Sequence, residues 1–459
     1  MKRWRSLVGL VGGGWALAGA LPGLAEEAGA GVAAAAPAVA ASAVNSGDTA
    51  WVLISAALVL LMTIPGLAFF YGGLVRRKNV LSVLMQCFMI MCILSLQWVL
   101  FGYSLAFGPD VKGVIGNLSW AGLHSVGAEP FAGYAATIPH SVFMIFQMMF
   151  AVITPALIIG AFAERMKFSS FCVFILLWST LVYDPVAHWV WGLGGFLSRF
   201  DAAGNLREGA ADFAGGTVVH VNAGVAALVC ALVLGKRKGY PDKMSPPHNL
   251  PFAVLGAGLL WFGWFGFNAG SALAANGLAA SAFVITHIGA ASAGLTWAIL
   301  DWLFNKRPTV LGIITGAVGG LVAITPASGF VNVAGAFGVG IGVAVICYIF
   351  VSFVKPKMGY DDSLDAFGVH GVGGMWGAIA TGIWAVKSVN GVDGLLAGNP
   401  GQLIIQLKAV LVTVVFSAVG TYILLKVVDK VMGLRATDHS ERIGLDLSDH
   451  RETGYTMLE

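Results

Sequence analysis

Two short stretches place an acid and an imidazole where water is scarce: DFAGGTVVH at 212–220 and DAFGVHG at 365–371. No lysine, arginine or carboxylate follows Asp212 until Lys236, so His220 falls inside an apolar window long enough to cross a bilayer as a helix. An ionisable group in that setting is a functional-site hypothesis by default. Neutral imidazole donates from one ring nitrogen and accepts at the other. Two facing rings, His220 and His370, can therefore share a hydrogen bond and hold a polar line through a dry passage, relaying at most one proton between them. Two competing readings are histidines that only satisfy nearby backbone groups, and a metal site. The second lacks the His-x-x-His spacing or carboxylate cluster that ligation needs. Asp212, just ahead of Gly215 and its neighbours, is placed to cap the free N–H groups of the helix that follows.

Aromatic residues gather near the ends of the same windows. Phe146 and Phe150 are four apart and share one helix face, Trp191 closes another window, and WFGFNAGS at 264–271 supplies Phe267 and Ser271. Aromatic faces attract small cations, and a serine oxygen accepts from an N–H. Such a pocket favours an ion that carries N–H donors over a bare alkali ion. Core phenylalanine and interfacial tryptophan are also the ordinary background of membrane helices, so periodicity leaves both readings open.

The elements that must position these residues follow from composition. Of 459 residues, 58% are hydrophobic and 11% charged, against about a quarter charged in soluble domains. A large soluble globule is excluded, and the long continuous apolar runs are unlike the short alternating strands of a membrane barrel. The pattern predicts an all-α polytopic membrane protein with eleven transmembrane helices at 50–72, 80–107, 138–163, 169–193, 214–235, 251–270, 281–303, 309–325, 333–354, 366–386 and 402–428. Thirteen basic residues fall in loops on one side of this arrangement and four on the other. That excess sets the basic side inward, with the mature N-terminus periplasmic and the C-terminus cytoplasmic. Helices 1–5 and 6–10 form inverted five-helix halves that meet at the site, with an eleventh helix added. Lys2, Arg3 and Arg5 ahead of an apolar run read as a signal peptide over 1–25 rather than a further helix. Residues 26–47 read as a flexible extracytoplasmic segment, 48–430 as the transmembrane domain, and 431–459 as a cytoplasmic tail. The five cysteines read as small buried hydrophobes. No basic domain points to nucleic acid, and no nucleophile elbow, P-loop or catalytic metal cluster points to an enzyme.

Taken together, PGLAFFYGGLVRRKN at 65–79, FQMMFAVITPALIIGAFAERMKFS at 146–169, DFAGGTVVH at 212–220, WFGFNAGS at 264–271 and DAFGVHGVGG at 365–374 resemble the ammonium transporter superfamily, which includes methylammonium permeases and Rhesus proteins. The resemblance implies eleven spans in inverted halves, an inner-membrane homotrimer with one pore per subunit, and no cofactor. It implies that Phe146, Phe150, Trp191 and Ser271 form an external recruitment site. Phe150 and Phe267 form a stacked gate, His220 and His370 are twin pore histidines, and Asp212 is a supporting carboxylate. A PII-type regulatory protein on the cytoplasmic tail is a further implied partner. The function expected is recruitment of the ammonium ion, its deprotonation, and conduction of ammonia past the histidines with net proton movement. Rival readings are an ammonium sensor that binds but barely transports, and a carrier for another small cation.

Overall fold

The computed structural model describes residues 44–455. The expected signal peptide lies outside the described residues, as does most of the 26–47 segment. From residue 44 the chain is already anchored, for Asn45 N donates to the Thr137 carbonyl at 2.8 Å. The first helix begins at Ser46.

The helices are α1 Ser46–Leu74, α2 Arg77–Phe107, α3 His140–Phe162, α4 Phe168–Trp191, α5 Gly216–Leu234, α6 Leu250–Ala272, α7 Gly277–Asn305, α8 Val310–Ile324, α9 Val333–Met358, α10 over 367–384 and α11 Pro400–Met432. Among the described residues nine of these are long and apolar enough to cross a membrane, and α8 is a shorter apolar helix. Every predicted range overlaps one of these eleven helices. Ends were harder to place because hydropathy changes gradually while caps act at single residues. Asn45, Asn249, Asn276, Thr309 and Asn332 each accept from a backbone N–H of the first turn of the helix they precede, satisfying donors that would otherwise be unpaired.

One end of the bundle carries the basic loops. There Glu164 accepts from Arg76 at 2.8 Å and lies 3.4 Å from Arg237, which also grips Asp361 at 2.8 Å. The chain after α11 folds back across this end. Lys167 N donates to the Leu434 carbonyl at 2.9 Å, and Arg435 donates to the carbonyls of Leu234 and Lys236 at 2.9 and 2.8 Å. Farther along the tail, Ser82 N donates to Asp446 Oδ1 at 2.8 Å.

The opposite end is rich in aromatic residues and holds a small antiparallel pair, β1 Asp110–Val111 and β2 Ile115–Gly116. The cysteine reading needs correction: all five are free, but Cys92 is exposed and Cys172 half-buried.

Candidate functional site

The helix α5 starts on a carboxylate. Asp212 Oδ1 accepts from Gly215 N at 2.9 Å and Gly216 N at 2.6 Å, while Oδ2 accepts from Thr217 N at 2.8 Å and from the Thr217 hydroxyl. The charge therefore sits on the positive end of the helix dipole, fully hydrogen-bonded though buried. Its backbone also contributes, because Trp191 Nε1 donates to the Asp212 carbonyl at 2.9 Å. Asp212 thus fixes both the helix bearing His220, through its carboxylate, and the indole of Trp191, through its main-chain carbonyl.

The sequence reading paired Asp212 with Asp365, and the structure corrects this to Asp362. Asp362 Oδ1 accepts from Ala366 N at 3.1 Å and Oδ2 from Phe367 N at 2.7 Å, the amides four and five residues on, matching Gly216 and Thr217 beyond Asp212. Each acid lies eight residues ahead of its histidine. That shared interval was the available signal, hidden by the DAFG run that made Asp365 look equivalent. Asp365 instead has φ +59° and pairs with Lys355 at 2.6 Å, so its carboxylate is not at the helix start.

The two helices cross antiparallel with almost no separation. A Cβ on Gly224 would meet Gly371 N at 2.0 Å, and one on Gly374 would meet His220 Cβ at 2.9 Å and Val221 N at 3.0 Å. Each glycine is four residues beyond a histidine, so each helix leaves a notch at the level where the other carries its ring. Consequently the imidazoles face one another, with centroids 5.4 Å apart and planes 18° from parallel. The expected hydrogen bond shared between the two rings is not made in this structure. Both nitrogens of His220 and Nδ1 of His370 have no hydrogen-bond partner in the protein. Trp264, held by donation from Nε1 to Thr325 Oγ1 at 2.8 Å, covers His220 at 5.5 Å.

The rings line a chamber of about 10 Å³ with Trp264, Phe267, Leu157 and Val318, room for roughly one water-sized molecule. Toward the aromatic end Phe267 meets Phe150 at 4.4 Å with planes 46° apart. The gate pair is tilted rather than stacked. Beyond it opens a cavity of about 240 Å³ lined by Phe150, Trp191, Ser271 and Asp212, with Gln147 and Tyr134 also on its wall. Trp191 stands edge-on to Phe150 at 5.7 Å. The Ser271 hydroxyl donates to the Phe267 carbonyl at 2.9 Å, leaving its oxygen free to accept from a ligand. Phe146 does not line this cavity. It is fully buried and packs on Phe150 at 5.0 Å, because the face shared by residues four apart is wider than the cavity mouth. Toward the basic end His370 also lines a cavity of about 300 Å³ with Tyr71, Asp301 and Asp365. A line therefore runs from one cavity past Phe150, Phe267, His220 and His370 into the other.

The remaining membrane histidines stand apart. His140 Nε2 pairs with the Tyr103 hydroxyl at 2.6 Å, His188 bridges the Ala106 carbonyl and Asp110 at 3.0 and 2.9 Å, and His287 is exposed beside Trp261. Sequence reasoning also missed Gln406 on α11, which accepts from Ala211 N at 2.7 Å and donates to the carbonyls of Ala211 and Ala378 at 2.9 Å each. It ties the segment ahead of Asp212 to α10. Its place inside an apolar span far along the chain, four residues after Gln402, was the only hint.

With this geometry in view, the chain matches the profile described as Ammonium Transporter Family over residues 50–455. The chain belongs to that family. Within the ammonium transporters it is 52% identical over 411 residues to the "Ammonium transporter" of Bacillus subtilis (strain 168), covering 89% of this chain and 98% of that protein. The crystal structure of Saccharomyces cerevisiae Mep2 superposes with a TM-score of 0.79 at 34% identity, covering 86% of this chain and 88% of that one. A solved structure named "Sensor Amt Protein" superposes with a TM-score of 0.78 at 31% identity, covering 88% and 98%. Membership in this family makes the chain a multi-pass membrane transporter and not an enzyme.

Proposed function

We propose that the protein is an ammonium transporter of the cell inner membrane. Its aromatic end faces outward and its basic end faces the cytoplasm, as the positive-inside excess favours. The observation that carries the reading is the facing imidazole pair set between two cavities and shielded by Phe150 and Phe267. In the outer cavity Phe150 and Trp191 offer π faces and Ser271 a hydroxyl acceptor, and Phe146 fixes Phe150 from behind. Ammonium has four N–H donors and is close to potassium in size, so radius discriminates poorly and directional hydrogen bonding supplies the difference. An ion in the chamber would lose its hydration among apolar walls at a cost of several kcal/mol. Ammonia, being neutral, avoids most of that cost and bonds with the free imidazole nitrogens as it passes. Deprotonation therefore precedes the chamber. The proton left behind follows along His220 and His370, which makes transport electrogenic.

The finer architecture belongs to the same proposal. The matched pairs Asp212 with His220 and Asp362 with His370, on antiparallel helices, support two inverted five-helix halves, and eleven crossings then place the tail in the cytoplasm. The assembly is a homotrimer with a pore in each subunit, and the docked tail is the contact site for a PII-type protein. The likeness to a protein named as a sensor keeps a second reading in view, binding without useful flux. Purified protein in liposomes decides between them: methylammonium uptake and ammonium-dependent current are expected. Tight binding with neither would leave a sensor, and competition by potassium at equal concentration would point to a general cation carrier.

A further inference from the structure

The outer cavity holds a charge that a cation-capturing site has no evident use for. Of its lining residues only Arg199 and Asp212 are charged, and the Asp212 carboxylate is turned to the start of α5, where helix amides hold it. Arg199 has no such partner. Among the described residues its guanidinium makes no ion pair or side-chain hydrogen bond, and it lies half-buried over the Phe330 ring at 5.1 Å from the centroid. The contrast with Arg207 in the same loop is direct: that side chain donates to the Ser198 carbonyl at 3.0 Å and to the Gly195 carbonyl, so it pins the loop. Arg199 is fixed by an aromatic face and leaves its charge unbalanced.

Resting on the transport reading above, we propose that Arg199 is an affinity-setting residue of the outer cavity, whose fixed positive charge weakens the capture of every cation. The penalty is common to all monovalent ions, because it depends on charge and distance. What offsets it is not common: π faces and the Ser271 oxygen reward an ion with N–H donors and do little for potassium. The preference for ammonium over potassium thus comes from the π faces and Ser271, while Arg199 lowers the apparent affinity for both and keeps the cavity from filling at low concentration. A cleft with low-dielectric walls focuses such a field, so a single charge suffices.

The test uses full-length protein in liposomes, recording ammonium-evoked current for wild type, Arg199→Gln and Arg199→Lys at low and high sodium chloride. At low salt Arg199→Gln is expected to lower the apparent KM for ammonium roughly threefold to tenfold, with maximal current changed less than twofold, and to lower the inhibition constant of potassium by a similar factor, so that the ratio of the two constants stays the same. Wild-type KM should fall as salt screens the charge, while that of Arg199→Gln stays flat and Arg199→Lys follows wild type. A merely structural role, lost stacking on Phe330, would instead raise KM in both variants and leave the salt dependence alone. An Arg199→Gln protein with unchanged or higher KM and the wild-type salt response overturns the inference. Absence of any wild-type current is a different result, since it removes the transport reading itself.

Discussion

Burying a polar nitrogen that bonds to nothing in the protein costs roughly 1–3 kcal/mol, and His220 buries two. A group kept at that cost in the middle of a bundle is retained for what passes it. His220→Leu is therefore expected to raise unfolding stability by about 1–3 kcal/mol while abolishing most flux; thermal unfolding in detergent beside uptake in liposomes reads both. A variant less stable than wild type with intact uptake would show that the ring serves packing. The acids separate in the same way. Asp362→Asn removes the charge from two helix-start hydrogen bonds and should cost about 2 kcal/mol or more. Asp365→Asn breaks only a partly exposed pair with Lys355, worth less than about 1 kcal/mol. Equal losses from the two would mean that Asp362 is not the counterpart of Asp212.

At the scale of elements, the crossing of α5 and α10 depends on two hydrogens. Gly224→Ala puts a methyl into the Gly371 backbone, which cannot step aside, so this variant should fail to accumulate in membranes or lose flux entirely. Gly319 on α8, whose Cβ would meet nothing within 4 Å, is the control: Gly319→Ala should be neutral or stabilising by up to about 1 kcal/mol. A Gly224→Ala protein as well folded and active as the control would mean that α5 and α10 are not in contact there. The helices themselves were legible, because an apolar run of about 20 residues has few alternatives. His220 and His370 were legible for the converse reason, as ionisable groups where none is expected. Ring orientation was not, since it depends on which glycine notch receives which helix. Nor was the role of Asp362, because two carboxylates three residues apart differ only in which backbone amides they reach.

For the molecule as a whole, the basic end is tied together by charges that cannot be removed singly. Burial pushes the Glu164 carboxyl up, but Arg76 and Arg237 more than offset this and hold it below its ordinary value. Asp361 is likewise lowered, burial being outweighed by Arg237. Carboxylates depressed in the folded state stabilise it above their unfolded values near 4 and lose that contribution as pH falls through the folded values. The cluster of Arg76, Glu164, Arg237 and Asp361 should thus persist through neutral and mildly acidic pH and loosen only below about 4, which amide hydrogen exchange of the loops around Glu164 and Arg237 at stepped pH would follow. Arg237→Ala leaves two buried carboxylates short of a partner and should cost on the order of 3 kcal/mol, shifting that loosening to higher pH. What joins this end to the other is the line of two cavities and one small chamber, and its claim to conduct ammonia rests on the imidazoles. The most direct measurement is current on a supported membrane under ammonium and potassium pulses at several pH values, for wild type and the folded His220→Ala, His370→Ala double variant. The ratio of ammonium to potassium response should fall at least tenfold in the double variant; an unchanged ratio at an unchanged rate would contradict passage between the two rings.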